Sequence, residues 1–285
     1  MTVRCDGVVD CEDKSDEMEC QKVNIALSYN QLISPPAVEG KNKKMDVRVS
    51  VHVNSILGIN EIDQLIYISY ELIMEWIDPR LEYNNIKENI DLNVMSLSET
   101  EAIWVPRLKF HNTRSAQETQ LDKKVVTKII PSESFTYQKG DMSMKNNKYI
   151  FLGHENSIFM SRSYDTYFLC KYDMASYPFD TQICSMDLVL NVVQIPFCQL
   201  KVEELLYKGP EELVQYFIRS RHMVQMKIDG SSGVRVYIVL GRRLLSNILT
   251  VYLPTILLNL TGHTTVYFKP FFFEVFFTKY YLFSN

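Results

Sequence analysis

Basic runs are missing from this sequence of 285 residues, in which 30 Lys and Arg against 34 Asp and Glu leave a formal net charge of −4. Nucleic-acid binding requires a concentrated positive surface, so the sequence predicts no nucleic-acid partner. A nucleophile, a general base and a phosphate-binding loop at useful spacing are also missing, so we expect no enzyme. An apolar leader sequence is missing too. If the chain is secreted, we therefore expect its native start to lie upstream of residue 1.

Cysteine is scarce, and the six cysteines fall into two groups, Cys5, Cys11 and Cys20, then Cys170, Cys184 and Cys198. No histidine lies at zinc-ligand spacing from either group. Disulfide formation along the secretory route is therefore favoured over metal ligation.

Alternating apolar and polar residues dominate the middle of the chain. Residues 47–53 alternate strictly, and residues 66–76 place an apolar side chain at every even position. This period of two predicts half-buried strands, and segments 149–152, 157–164 and 234–240 repeat it between turn residues. Because 17 Tyr and 15 Phe also favour sheets, the sequence predicts a mainly β, immunoglobulin-like sandwich.

Two segments depart from the strand pattern. Residues 24–33 carry apolar side chains at helical spacing before Pro35, which predicts a short N-terminal helix that leads into the sandwich. Residues 248–258 are almost wholly apolar, but the polar residues 259–265 dilute the run. Hydropathy alone therefore leaves it open whether this segment crosses a membrane.

The acidic start, residues 5–20, reads Cys-Asp-Gly-Val-Val-Asp-Cys-Glu-Asp-Lys-Ser-Asp-Glu-Met-Glu-Cys. It resembles the C-terminal half of an LDL-receptor class A repeat. A segment this short cannot build an apolar core, and its crowded carboxylates repel one another unless a hard cation joins them. Bound Ca²⁺ is the prediction, with a solvated acidic tail as the alternative.

The class A resemblance implies a calcium cage and a disulfide. The side-chain ligands that it implies are Asp6, Asp10, Asp16 and Glu17. The family pairing joins Cys5 to Cys20, whereas the partner that it gives Cys11 belongs to the upstream half of the repeat. We therefore expect a half-module that binds Ca²⁺ weakly.

Cys170 and Cys184 enclose thirteen residues that include Tyr177-Pro178-Phe179-Asp180. This spacing and tetrapeptide together resemble the signature loop of the Cys-loop family of pentameric ligand-gated ion channels. The match covers about residues 24–274. It continues through Trp76-Ile77-Asp78-Pro79-Arg80-Leu81, through Ile103-Trp104-Val105-Pro106-Arg107-Leu108, and through Arg242 followed by Tyr252-Leu253-Pro254.

The Cys-loop resemblance implies a device that couples agonist binding to a pore. Its members are a Cys170–Cys184 disulfide and the coupling residues Tyr177, Pro178, Phe179, Asp180 and Arg242. Asp180 at the loop tip would face Arg242 at the end of the last strand, close to the membrane domain. Closing such a loop removes about 3 kcal/mol of chain entropy from the unfolded state. The alternatives are a merely structural clip and two solvated charges.

Agonist sites in that family lie between neighbouring subunits and are often lined by aromatic residues that hold a cationic amine. This sequence departs from that pattern, because the corresponding positions hold Glu71, His111 and Asn191. Residues 223–233, which correspond to the family's third agonist-binding loop, contain neither adjacent cysteines nor an aromatic residue. The three polar residues are our ligand-binding candidates, and the small-molecule agonist stays open.

The two resemblances together imply a domain order of class A half-module 1–20, ligand-binding sandwich 21–243, first transmembrane helix 244–268 and truncated tail 269–285. Residues 275–281 do not resemble a pore-lining second helix, so we expect a subunit fragment without its pore. The intact parent would be a homo- or hetero-pentamer, multi-pass in the plasma membrane and its lipid bilayer, with the ligand-binding domain extracellular.

Two alternatives to a channel subunit stay open, namely a soluble ligand-binding decoy and a secreted calcium-dependent adhesion module. The sole N-glycosylation sequon, Asn259-Leu260-Thr261, falls inside the expected membrane helix. Transferases do not reach that depth, so we expect this sequon to be unused.

Overall fold

β-Strands dominate the residues that the computed structural model describes, which are 9, 11–13, 21–38, 43–114, 117–132, 150–228 and 230–267. These residues fall into two units. The first unit draws on the described residues up to Tyr172, on Ile183–Pro210 and on Ser220–Ile238. The second draws on Asp173–Gln182, on Glu211–Arg219 and on the described residues from Val239 onward.

The largest sheet has six strands in the order β12 (Cys198–Tyr207), β2 (Met45–Asn60), β3 (Leu65–Trp76), β10 (Ser157–Leu169), β8 (Val126–Ile130) and β5 (Val94–Met95). β2 pairs antiparallel with β3, whereas β12 pairs parallel with β2. Every even residue of β3 from 66 to 76 is buried, which confirms the predicted apolar face.

A five-stranded sheet has the order β13 (Tyr216–Ile228), β14 (Ser231–Arg242), β11 (Thr181–Leu190), β6 (Leu108–Phe110) and β7 (Gln117–Glu118). β14 begins at Ser231, so the turn before it is shorter than the glycine- and serine-rich sequence suggests. Gly230 has a φ of 78°, a conformation that costs glycine little because it has no Cβ.

Smaller elements complete the first unit. A three-stranded sheet joins β1 (Val23–Asn24), β4 (Glu82–Asn84) and β9 (Ile150–Leu152). Helix α1 (Leu97–Ala102) begins with a capping box, in which Ser96 and Glu99 bind each other's backbone N–H groups. Single turns of 3-10 helix cover Ile90–Leu92 and Val192–Gln194.

The core of the first unit lies between the six-stranded and five-stranded sheets. The ring of Tyr70 on β3 meets Phe110 on β6 edge to face, with ring centroids 6.2 Å apart. Trp76 and Trp104 also meet edge to face at 6.2 Å, and both are buried. The contact of Tyr70 with Phe110 between facing sheets confirms the predicted sandwich, and both tryptophans pack into its core.

The short helix predicted for residues 24–33 is wrong, because this segment forms β1 and isolated turns. Tyr29 explains the difference, since its hydroxyl donates to Asp78 Oδ2 at 2.9 Å and accepts from the Trp104 N–H at 2.8 Å. Leu32 stays 78% exposed, so the apolar spacing does not produce a buried helical face. The tertiary contacts of one tyrosine thus override the local periodicity.

A helical segment ends the described chain. It comprises α2 (Leu244–Asn247), a π-helical stretch (Ile248–Tyr252) and α3 (Leu253–Tyr267). Pro254 has no N–H to bond one turn back, which fits the wider turn before it. Within the part of the chain described, no helix is long and apolar enough to cross a bilayer. The segment is helical, whereas the predicted transmembrane helix 244–268 stays a prediction.

Candidate functional site

The predicted disulfide between Cys170 and Cys184 is present. Its sulfur atoms are 1.97 Å apart and its Cα atoms 4.9 Å apart, inside the usual range of about 4.4–6.8 Å. Cys198 takes no part in this bond and is fully buried. Burial raises the pKa of the Cys198 thiol to about 11, so this cysteine is poorly reactive.

Asp180 and Arg242 form a bidentate ion pair within the second unit. Arg242 Nε donates to Asp180 Oδ1 at 2.6 Å, and Nη2 donates to Oδ2 at 2.9 Å. The two side chains are only 3% and 1% exposed. The two residues therefore face each other, and the alternative of two solvated charges does not hold.

Aromatic rings surround the guanidinium group of Arg242. Its central carbon lies 4.9 Å from the ring centroid of Tyr177 and 4.6 Å from that of Tyr216. Nη2 also donates to the Tyr216 hydroxyl at 2.5 Å. Because ring faces attract cations, these contacts stabilise the buried charge of Arg242.

Gln182 completes the surroundings of Asp180. Its amide nitrogen donates to Asp180 Oδ2 at 2.5 Å and to the Asp173 carbonyl at 2.7 Å, and its amide oxygen accepts from the Asp173 N–H at 2.8 Å. One side chain thus joins the two ends of the loop 173–182 and supports the buried carboxylate of Asp180.

Sequence reasoning missed Tyr216 and Gln182. A signal existed for Gln182, because it alternates with Cys184 on β11 and so shares the buried face of that strand. Tyr216 begins β13 and stands 26 residues before Arg242, a separation at which no short motif connects the two. Only the fold brings Tyr216 to the ion pair.

Charge and burial shift the pKa of the Asp180 carboxyl group in opposite directions. Burial raises the pKa of its carboxyl group, but the hydrogen bonds from Arg242, from Gln182 and from its own backbone, together with the positive charge of Arg242, lower the pKa by more. The pKa of Asp180 therefore lies below its ordinary value, and the group is a carboxylate at neutral pH.

The other three residues of the tetrapeptide 177–180 differ in burial. Pro178 is buried and follows a cis peptide bond, whereas Phe179 is 75% exposed and Tyr177 is 40% exposed. Phe179 is the kind of exposed aromatic side chain that an adjoining surface can cover.

The structure does not bring the three ligand-binding candidates together within one chain. Glu71 lies on β3 of the six-stranded sheet, 3.6 Å from His52 Nδ1 and 3.9 Å from Lys208 Nζ. His111 and Asn191 lie beyond opposite ends of β6 in the five-stranded sheet.

His111 and Asn191 also serve the local backbone. The His111 N–H donates to the Asp187 carbonyl at 2.9 Å. Asn191 caps the turn Val192–Gln194 by accepting from the Val193 N–H at 3.3 Å, and its amide nitrogen donates to Glu118 Oε1 at 3.2 Å. Both positions are therefore fixed, although His111 is exposed.

An open groove of about 600 Å³ runs beside Asn191. Its lining includes Leu32, Trp104, Arg107, Glu118, Val193 and Phe197. Residues 223–228 and 231–233, where the resemblance implies the third agonist-binding loop, belong instead to the paired strands β13 and β14. A long loop that could close over a ligand is therefore not formed by these residues.

The predicted calcium ligands Asp6, Asp10, Asp16 and Glu17, and the predicted Cys5–Cys20 bond, lie outside the described residues. The described ranges contain no group of three or more His, Cys, Asp or Glu side chains that could hold a metal ion. The calcium half-module and its LDL-receptor class A assignment therefore stay predictions.

Comparison with known proteins relates this geometry to one family. The chain is 25% identical over 161 residues to a glutamate-gated chloride channel of Drosophila melanogaster, covering 56% of this chain and 30% of the relative. It is 23% identical over 263 residues to the 5-hydroxytryptamine receptor 3A of Cavia porcellus, covering 87% and 47%. It is 26% identical over 223 residues to the gamma-aminobutyric acid receptor subunit beta-4 of Gallus gallus, covering 75% and 40%.

The chain thus spans less than half the length of each of these relatives. A family model described as the neurotransmitter-gated ion-channel ligand binding domain matches residues 21–204, which is more than half of the chain. The sandwich and the Cys170–Cys184 bond agree with that match. The chain therefore belongs to the neurotransmitter-gated ion-channel ligand binding domain family.

Proposed function

We propose that this chain is the ligand-binding part of a subunit of an extracellular-ligand-gated ion channel. The buried pair of Asp180 and Arg242 carries the proposal. Arg242 stands two residues before the helical segment that begins at Leu244, so the pair joins loop 173–182 directly to the strand that leads into that segment. A displacement of the loop would reach the first helix through this contact.

The residues around the pair have different roles in the proposed coupling. Tyr177 and Tyr216 hold the guanidinium group of Arg242, and Gln182 holds the carboxylate of Asp180. Phe179 at the exposed loop tip would contact the membrane domain of the intact subunit. A buried charged contact has few alternative arrangements, because separating the charges is costly. It therefore suits a two-state switch better than exposed charges would.

We propose that the agonist binds between subunits, with Glu71 from one chain and His111 and Asn191 from its neighbour. The separation of these residues on two sheets supports this, because a single chain does not join them. The intact protein would then be a homo- or hetero-pentamer in the plasma membrane, with this sandwich outside the cell and the segment from Leu244 crossing the bilayer.

The ligand in this proposal is a small amino acid or amine. The names of the matched relatives point to glutamate, 5-hydroxytryptamine and gamma-aminobutyric acid, all of which carry an ammonium group. Glu71 supplies a carboxylate for such a group. An aromatic cage of the kind that binds acetylcholine is not expected, because polar side chains replace the rings at a cost of about 0.5–2 kcal/mol each.

Glycosylation mapping of the full chain, expressed behind a secretory leader, tests its topology. If the segment from Leu244 inserts into the membrane, Asn259 should stay unmodified. The matched control is Ile62→Thr, which places a sequon at Asn60 next to a side chain that is 94% exposed. We expect glycosidase-sensitive modification at Asn60 only. Modification at both positions would mean that the helix is translocated and would favour the soluble decoy.

A further inference from the structure

The open groove beside Asn191 has one basic side chain in its lining, that of Arg107. The backbone of Arg107 is fixed, because its N–H donates to Gln194 Oε1 at 2.8 Å and its carbonyl accepts from the Asn191 N–H at 3.0 Å. Its guanidinium group, by contrast, makes no hydrogen bond or ion pair in the described part of the chain. A cation on a rigid support is therefore free to bind an external anion.

Glu118 places a carboxylate in the same lining. It lies on β7 directly opposite Lys109 of β6, close in the fold to Arg107. The amide nitrogen of Asn191 donates to both oxygen atoms of Glu118, at 3.2 and 3.3 Å. Because an amide is neutral, this contact positions the carboxylate and leaves its negative charge in place. The remaining charged residue of the lining is Glu101 on helix α1.

Apolar side chains form much of the remaining lining. Exposed members are Leu32, Ile33, Val193 and Phe197, and buried members include Trp104 and Met160. Exposed apolar side chains that gather around a groove are typical of a binding surface. The groove volume of about 600 Å³ also lies within the range of about 300–1,000 Å³ that is usual for small-molecule sites.

We propose that this groove binds a free amino acid with a bulky apolar side chain. The guanidinium group of Arg107 binds its carboxylate, and the carboxylate of Glu118 binds its ammonium group, both through charge-assisted hydrogen bonds. The apolar part of the ligand packs on Leu32, Val193 and Phe197. A ligand of this class matches a cation, an anion and an apolar wall at once.

Ligands with a single charge fit the groove less well. A plain carboxylate would bind Arg107 but would be repelled by Glu101 and Glu118, which line the same groove. A plain amine would be repelled by Arg107. A zwitterion presents the opposite charge to each side and leaves neither lining charge facing its own sign.

The groove overlaps the proposed agonist site only at Asn191, because neither Glu71 nor His111 belongs to its lining. All its lining residues come from one chain, so a single chain can bind the amino acid. One consequence rests on the proposed function, in which Asn191 contributes to the agonist site. Because Asn191 holds Glu118, an amino acid bound to Glu118 would also restrain Asn191 and so modulate agonist binding.

Saturation-transfer NMR on the full chain tests the groove with L-phenylalanine as the probe. We expect a dissociation constant of about 1 mM, the scale of so small a ligand in an open groove. Phenylalaninamide lacks the carboxylate and hydrocinnamate lacks the ammonium group. Each should bind roughly tenfold more weakly, because one charge-assisted contact is lost. If either analogue binds as tightly as phenylalanine, the groove does not recognise a zwitterion and the proposal is wrong.

Substitution of Arg107 locates the bound probe. Arg107→Gln should weaken phenylalanine binding by roughly tenfold, and Arg107→Lys, which keeps the charge, should weaken it less. The matched control is Lys109→Gln, which removes a positive charge from an exposed neighbour outside the groove lining. It should change binding by less than about twofold, because a solvated charge is screened. Equal effects of the two glutamine variants, or no binding by the wild-type chain, would overturn the proposal.

Glu71→Gln separates this groove from the proposed agonist site. We expect phenylalanine binding to be unchanged in that variant, since Glu71 is not part of the groove lining. A loss of binding would instead place phenylalanine in the agonist site and would overturn the groove as its location. Because the measurement uses a single chain and involves no current, a failure of the groove would leave the proposed channel function untouched.

Discussion

The proposed coupling residues of the second unit and the ligand-binding candidates of the first unit differ in burial and in the closeness of their charged contacts. Asp180 and Arg242 are at most 3% exposed and meet through hydrogen bonds of 2.6 and 2.9 Å. Glu71 is 29% exposed, and its carboxylate lies 3.6 Å from His52 Nδ1 and 3.9 Å from Lys208 Nζ. The difference teaches that the buried pair has essentially one arrangement, whereas the proposed ligand surface should accommodate substitutions more readily.

Removing one partner of the buried pair should have the largest effect. Arg242→Ala leaves Asp180 buried without its counter-charge, which should lower the free energy of unfolding by about 3–5 kcal/mol. Chemical denaturation of the full chain measures this. The exposed pair of Lys128 and Asp91 is the control, since Asp91 is 79% exposed and Asp91→Asn should cost less than about 1 kcal/mol. Equal losses of unfolding free energy in the two variants would contradict the expected difference between the buried and the exposed ion pair.

Opening the Cys170–Cys184 loop should have the next largest effect. The double variant Cys170→Ser with Cys184→Ser frees a loop of about 15 residues in the unfolded chain, which should lower stability by about 3 kcal/mol in the loop-entropy model. Denaturation with and without reductant measures the change. Cys198→Ser serves as the control because it should leave the response to reductant unchanged. A wild-type chain that is insensitive to reductant would contradict the expectation.

Acid should weaken the coupling contact through Asp180. Because the pKa of Asp180 is lowered in the folded state, its stabilising contribution is complete above its unfolded pKa of about 3.9 and is lost as the pH falls through the folded value. We therefore expect stability to decrease below about pH 4. In Asp180→Asn this part of the pH dependence should be missing. If the stability of that variant still decreased to the same extent below about pH 4, the decrease would have to be due to other carboxylates.

A substitution at the ligand surface should have the smallest effect on folding. Glu71→Gln keeps the size of a partly exposed side chain, so the free energy of unfolding at pH 7 should change by no more than about 0.5 kcal/mol. Thermal and chemical denaturation would measure it, with Gln182→Leu as the buried comparison, which should cost more because it removes three hydrogen bonds. A large loss in Glu71→Gln would mean that this surface is as tightly built as the coupling cluster.

The sequence predicted the parts of the fold that depend on strand periodicity and on local motifs. The face of β3 follows from alternation, and the partners Cys170 and Cys184 follow from the signature loop. Contacts between residues far apart in the chain were predictable only where a motif marked both ends, as for Asp180 and Arg242. Tyr216 does not belong to any motif that would have identified it as a partner of Arg242.

Errors arose where tertiary contacts outweighed a local pattern. The helix predicted for residues 24–33 is replaced by turns because the Tyr29 hydroxyl bonds to Asp78 and Trp104, neither of which is a neighbour in sequence. The approach of Glu204 to His52 was equally out of reach, since it depends on a bulge in β12.

The most direct test of the coupling proposal is two-electrode recording from oocytes that express residues 1–243 joined to the membrane domain of the chicken gamma-aminobutyric acid receptor subunit. Glutamate, gamma-aminobutyric acid, glycine, 5-hydroxytryptamine and acetylcholine are applied in turn, and the unmodified chain, expressed alone, should give no evoked current. We predict that at least one small amino acid or amine evokes a current, and that Arg242→Gln abolishes it while surface expression persists. A surface-expressed chimera that responds to none of them, or one whose current survives Arg242→Gln, would contradict the proposal.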